Sequence, residues 1–220
     1  MANYVLVHGG NMTTATWNKL TYADPISTID GRMGGRIWDP VVPALTAHGH
    51  SVVAPTLKDE YHCNLTGHIG QICELIVKNG LWEVILVGHS YGGMVITGVA
   101  DKKQERIRHL VYVDAALPDS GQSLFDIIAS GGSDPLSFIG LEPAAPYVEK
   151  LQFDALKLKT LKKTYILCTE SEFAVVTQVP MHKIATAGKE WTYIELPTSH
   201  VPMASMPDRL TKILLDAAKK

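Results

Sequence analysis

A chain of 220 residues, 46% hydrophobic and 19% charged, is long enough for one globular domain to bury roughly 70% of its unfolded surface, so it needs neither disulfides nor a structural metal to hold a core. The balance of 20 basic against 22 acidic residues, a formal net charge of −2, gives no electrostatic footprint for a nucleic-acid backbone or an anionic membrane. Partners held by charge are therefore not expected, while a homodimer stays open. Cys63, Cys73 and Cys168 lack CxxC spacing and point to reduced thiols and a cytoplasmic setting. Cys73 and Cys168, in apolar runs, read as small buried hydrophobes. The first eight residues form a strand-like run without the pattern of an export signal. No apolar stretch reaches the ~18 residues that a membrane span requires.

In chain order, strands are predicted at Tyr4–His8, Ser51–Ala54, Glu83–Gly88, His109–Asp114, Thr164–Thr169 and Trp191–Leu196. Most are continuous apolar runs without alternation, which fits strands covered by helices on both faces. Helices are predicted between and after them at Asp39–His48, Thr66–Asn79, Tyr91–Lys102, Val175–Ala187 and Pro207–Ala218. In the last, Leu210, Ile213, Leu214 and Ala217 fall on one stripe at helical spacing. Strand and helix alternate throughout, the pattern of a mostly parallel sheet of about six strands. Two stretches break the rhythm. Asn18–Arg36, with three glycines and no periodicity, reads as a long loop. Pro118–Lys163, rich in Gly and Pro, with short helices at Ser123–Ala129 and Pro146–Lys150, reads as a cap inserted at about 115–163 into a single 1–220 domain.

The strongest chemical signal is Gly88-His89-Ser90-Tyr91-Gly92-Gly93 between an apolar strand and a helix, the setting that a nucleophile elbow demands. A sharp strand-to-helix turn leaves no room for side chains two positions either side of the serine, and glycines supply that room. The helix N-terminus then favours the negative charge that develops in acyl transfer. His8-Gly9-Gly10 ends the first strand and offers the second oxyanion donor, so the donor pair is the N–H of Gly10 and that of Tyr91. His8 reads as a scaffold residue that hydrogen-bonds its loop.

Nine histidines compete for the role of base. The order Ser…acid…His puts it in the loop after the last strand, where His200 stands. His89 is expected to project to the other side of the elbow, and His182 lies on a helix. His48 and His50 form a His-x-His without a sensibly spaced third ligand, and His62, His68 and His109 read as surface or packing residues. The acid must sit at a strand end near the histidine loop. Asp114, closing an apolar strand where an unpaired carboxylate is costly, is the first choice, with Glu172 and then Glu170 after the next strand as alternatives. Such a site requires no metal and no cofactor.

On Leu6-Val7-His8-Gly9-Gly10, Ala47-His48-Gly49-His50-Ser51-Val52, Val87 to Gly93, Val111 to Ala115 with Pro118-Asp119, Tyr165 to Thr169 and Ser199-His200, the chain resembles α/β-hydrolases, more closely the branch of plant hydroxynitrile lyases, plant methyl-ester esterases and small bacterial esterases. The resemblance implies an α/β-hydrolase fold with Ser90 as nucleophile, His200 as base, and Gly10 and Tyr91 as the oxyanion hole. Lyases of this branch carry threonine where this chain has Gly9, and lysine where it has Val201, so the resemblance implies the esterase side. Plant members place their acid just after the strand equivalent to Tyr165–Thr169, where Ser171 and Glu172 stand, and other α/β-hydrolases place it after the preceding strand, at Asp114. The expected activity is hydrolysis of a small, mostly uncharged ester. Leu124, Phe125, Ile127, Ile128, Leu136, Phe138 and Leu141 would supply an apolar pocket wall. The same site could serve a lactonase, lyase or acyltransferase, and the same fold a non-catalytic small-molecule receptor.

Overall fold

The computed structural model describes every residue except 11, 22, 138–140, 142–144, 186–187 and 220, and describes only the backbone at 178, 179, 181, 182 and 185. Its strands are β1 (Asn3–Val7), β2 (Ser51–Val53), β3 (Val84–His89), β4 (Ile107–Val113), β5 (Lys162–Cys168) and β6 (Trp191–Leu196). They form one sheet in the order β2-β1-β3-β4-β5-β6 with every pairing parallel. Helices cover both faces, which is why the strands read as unbroken apolar runs. Along β1, Tyr4 and Leu6 enter one core while Val5 and Val7 enter the other. Along β3, Ile85 and Val87 alternate in the same way with Val84 and Leu86.

The first core holds α3 (Leu65–Lys78) and α4 (Gly92–Lys102), and the second holds α1 (Thr14–Leu20), α2 (Val42–Ala47), α9 (Pro202–Ser205) and α10 (Pro207–Ala217). α4 is buried all round from Gly92 to Ala100, so its sequence shows no polar face. α10 instead buries the stripe of Leu210, Leu214 and Ala217, with Ile213 packed at its edge. The chain runs from β1 to one neighbour and then returns to the other, so β1 and β3 flank the point where the winding reverses. In open α/β sheets that is where ligands bind, outside the carboxyl ends of the strands.

The stretch expected to be a long loop, Asn18–Arg36, is partly helical. α1 begins upstream of it at Thr14, where the Thr13 hydroxyl accepts the N–H of Thr16, and Gly34–Trp38 forms a 3-10 turn. Seven residues that bury only Trp17 are too few to show a helical period. The helix expected over Asp39–His48 shortens to α2 because Pro40 and Pro43 remove donors, and Pro43 is tolerated only in its first turn. Between β4 and β5 lie α5 (Leu124–Ser130), α6 (Ala145–Val148) and α7 (Ala155–Lys159). Ser123 and Asp126 close a capping box on α5, and Asp154 caps α7, whose five residues carry no recognisable period. α8 (Ala174–Ala185) follows β5. β5 starts two residues earlier than expected because Lys163 is buried, its ammonium donating to the Leu161 carbonyl (2.8 Å) and lying over Trp191.

The expected pocket wall needs correction at Leu136, which is 67% exposed. Leu124, Ile127 and Ile128 are buried in the first core, with Phe125 and Leu141 packed against it. Phe138 lies outside the described residues.

Candidate active site

The parallel register explains the site. Val7 pairs with Gly88, Gly88 with Tyr112 and His89 with Val113, so β1, β3 and β4 end side by side. The residues that follow, Gly9-Gly10, Ser90 and Asp114, emerge on one edge. Ser90 has φ +55°, a left-handed conformation that costs a non-glycine residue about 1–3 kcal/mol and persists only where the surroundings impose it. The turn is pinned on both sides: Ser90 N–H donates to the Val113 carbonyl (3.3 Å), and the Ser90 carbonyl accepts from Gly93 (3.1 Å) and Ala116 (3.0 Å). A Cβ on Gly88 would lie 2.6 Å from the Gly92 carbonyl oxygen, and one on Gly92 would lie 2.8 Å from that of Val7. The expected absence of room on either side of the serine is thus a property of this backbone.

Facing Ser90 across the edge is the loop after β1. A Cβ on Gly9 would lie 2.6 Å from the Ser90 Cβ, so a threonine there would displace the serine. His8 is buried, accepts the Leu57 N–H at Nε2 (2.9 Å) and donates from Nδ1 to the Gly9 carbonyl (2.7 Å). It holds its loop, as expected, and burial pushes its pKa down to about 4. Among the described residues neither the Gly10 nor the Tyr91 N–H donates a hydrogen bond within the protein. The Tyr91 hydroxyl is engaged elsewhere: His68 gives its Nε2–H to the Lys58 carbonyl (2.9 Å) and accepts from Tyr91 at Nδ1 (3.0 Å). His68 is therefore a buried neutral link to the elbow, more than packing.

After β6 the chain turns through Thr198, whose N–H donates to the Leu196 carbonyl (2.9 Å) and whose carbonyl accepts from Glu170 (3.0 Å), and this brings His200 over the strand ends. Its Nδ1 lies 2.7 Å from Asp114 Oδ2. Asp114 is fully buried, with φ +44°. Its Oδ1 accepts the Cys168 N–H (3.0 Å) and its Oδ2 the Ser171 hydroxyl (2.5 Å). Three donors thus converge on one buried carboxylate and fix its orientation. The fold brings Asp114 to the imidazole, whereas Glu170 and Glu172 are exposed on the loop after β5. The carboxylate commits Nδ1 and leaves Nε2 available to Ser90. Among the described residues no hydrogen bond yet joins Ser90 Oγ to the ring, a looseness common in unliganded catalytic sites.

Three contacts escape sequence reasoning. His89, expected to point away, sends Nε2–H to the His200 carbonyl (2.7 Å), and its ring lies 4.6 Å from the His200 ring. Burial, and then the neighbouring His200, hold His89 well below the ordinary histidine range, so it stays neutral beside His200. Ser171, which follows β5, donates to Asp114, and Phe173 covers His200 with ring centroids 4.9 Å apart. The only signal available was the proximity of Ser171 to a strand end. Among the described residues no group of three or more His, Cys, Asp or Glu side chains could hold a metal ion. His48 instead bonds the Ala44 carbonyl, and His50 accepts the Ala2 N–H.

A parallel sheet with a strained serine at its winding reversal defines a hydrolase-type α/β protein, and the chain belongs to the alpha/beta hydrolase family, whose model matches residues 4–150. It is similar to the carbendazim hydrolyzing esterase of Nocardioides sp. (strain SG-4G), 39% identical over 137 residues, a match covering 58% of this chain and about half, 48%, of that enzyme. It is also similar to the pyrethroid hydrolase of Sphingobium wenxiniae, 25% identical over 84% of this chain and 83% of that one. An extracellular α/β-hydrolase from a Paenibacillus species shares the fold with a TM-score of 0.72 at 20% identity, over 99% of both chains. Among the described residues no helix is long and apolar enough to cross a membrane.

Proposed function

We propose that the protein is a serine esterase that cleaves a small, mostly uncharged carboxylic ester through an acyl-enzyme. His200 Nε2 takes the proton of Ser90 Oγ as the oxygen attacks the ester carbonyl. The oxyanion of the tetrahedral intermediate accepts from the N–H groups of Gly10 and Tyr91, two donors that make no hydrogen bond among the described residues. His200 then gives its proton to the departing alcohol. In the second half-reaction His200 deprotonates a water, which attacks the acyl group and releases the acid. Asp114 fixes the imidazole tautomer and stabilises the imidazolium.

One observation carries the proposal: at a single sheet edge, the strained Ser90 stands beside two N–H donors without a partner among the described residues and a histidine held 2.7 Å from a buried aspartate. Relatives named as an esterase and a hydrolase support the reaction class. The near-neutral charge of the chain and the apolar Leu141, Phe125 and Phe173 around the site support an uncharged substrate. In this reading residues 115–163 act as a cap. The three free cysteines support a reducing compartment such as the cytoplasm. Cyanohydrin cleavage is disfavoured, since a side chain at Gly9 would meet Ser90 and Val201 is buried in the second core, where it presents no cation to a leaving cyanide.

The test is Ser90→Ala on a panel of p-nitrophenyl and aliphatic esters, lactones and cyanohydrins. The expected result is acid and alcohol from the esters, abolished by the substitution. Undiminished ester turnover by Ser90→Ala, or product only from a cyanohydrin, would overturn the proposal.

A further inference from the structure

Tyr147, on the four-residue helix α6 between β4 and β5, is fully buried, yet it touches both residues assigned above as oxyanion donors. Its hydroxyl rests on Gly10: a Cβ built there would lie 2.8 Å from the tyrosine oxygen. Its ring meets Tyr91 edge-on at 5.2 Å and stacks on Phe125. The hydroxyl donates to Glu60 Oε2 at 2.5 Å, and Glu60 is itself buried. Two residues further, Glu149 accepts the N–H (3.0 Å) and the hydroxyl (2.6 Å) of Thr66 in the first turn of α3. The segment carrying Tyr147 is thus fastened to the 60–66 region through the ring's own hydroxyl and again two residues beyond it.

That region is also fastened from below. His8, two residues before Gly10, accepts from Leu57, and His68, bonded to the Tyr91 hydroxyl, donates to Lys58. The Gly10 loop and Tyr91 are therefore tied to one short segment, Leu57–Glu60, and Tyr147 closes the frame from above. An aromatic ring needing only apolar burial would not require a buried carboxylate for its hydroxyl, since leaving either group unpaired is costly.

We propose that Tyr147 is a positioning residue for the oxyanion hole: held by Glu60, its hydroxyl fixes the distance between the Gly10 and Tyr91 N–H groups. This rests on the serine-esterase reading. A donor displaced by about 1 Å can cost roughly 10²-fold in rate, and the effect falls on the transition state, so kcat moves while KM does not.

The experiment compares Tyr147→Phe, Glu60→Gln and the double variant with the parent on one p-nitrophenyl ester, with thermal midpoints recorded for each. Tyr147→Phe keeps the ring and should lower kcat about 10-fold or more with KM within roughly 2-fold. Glu60→Gln still offers an oxygen to the tyrosine and should stay within about 3-fold of the parent. The double variant, which also removes the carboxylate charge, should keep kcat low, and it serves as the test protein if the single variant does not fold. Parent-like kcat in Tyr147→Phe, or recovery of kcat in the double variant, would overturn the proposal. Ser90→Ala run alongside separates the two levels: if it is dead while Tyr147→Phe is normal, only the positioning role falls, and if it is active, the esterase reading and the positioning role fall together.

Discussion

The two flanks of Ser90 are built by different means. On the acid–base flank of the proposed mechanism, Asp114 and His200 are held by bonds from neighbouring strand ends: Cys168 ends β5, Ser171 follows it, and His89 ends β3 beside its target. On the oxyanion flank the donors are backbone groups with no side chain to grip, and their placement depends on a glycine fit at residues 9 and 10 together with His8, His68, Glu60 and Tyr147. A side chain that acts can be aimed by one or two contacts. A backbone N–H can be aimed only by fixing the segments on either side of it, which recruits residues far from the chemistry.

The largest expected effect lies on the acid–base flank. Asp114→Asn should lower kcat by about 10³–10⁴-fold by favouring the wrong imidazole tautomer, while Glu172→Gln stays near the parent. Paired steady-state rates check this, and equal modest losses at both positions would break the contrast. Next is a pH effect shared by the flanks. His8 has a folded-state pKa near 4 against 6.5 when free, so the folded state binds fewer protons than the unfolded one. The stability of the neutral form is complete above pH 6.5, declines as pH falls toward 4 and levels off below that. For His8 this amounts to about 3 kcal/mol. His68 and His89 are lowered in the same direction and add to the slope. Urea unfolding at pH 7 and pH 4.5 measures it, and equal stabilities would contradict buried neutral histidines on both sides of the serine.

Gly10→Ala tests the glycine fit. Its Cβ would meet the Tyr147 hydroxyl, and kcat should fall about 10²-fold with little change in the unfolding midpoint. Adding Tyr147→Phe to it should relieve the contact and return part of the rate. The smallest effect is expected at Ser171→Ala, which removes one of three donors to Asp114. A loss of roughly 3- to 10-fold in kcat corresponds to about one hydrogen bond, and a full collapse would show that Ser171 does more than orient the carboxylate.

The same division governs what a linear sequence reveals. The elbow is legible because the turn forbids side chains two positions either side of Ser90, and glycine spacing is a one-dimensional signal. His200 is legible as the candidate base from chain order, and Asp114 as the first candidate acid from its place at the end of an apolar strand. The choice of Asp114 over Glu172 is not legible, since it depends on which side chains face the loop after β6. His89, Ser171 and Tyr147 meet partners 111, 57 and 87 residues away, and no local pattern encodes such contacts. The sheet order follows from alternating strands and helices, whereas α1, α7 and α9 are shorter than two turns of helix and leave no periodicity to detect.

The most direct test of the central claim is the mass of the protein after exposure to a fluorophosphonate, followed by peptide mapping. The account predicts one adduct, on Ser90, formed in step with loss of ester hydrolysis and absent from Ser90→Ala. An adduct on another residue, or complete labelling with activity intact, would contradict it.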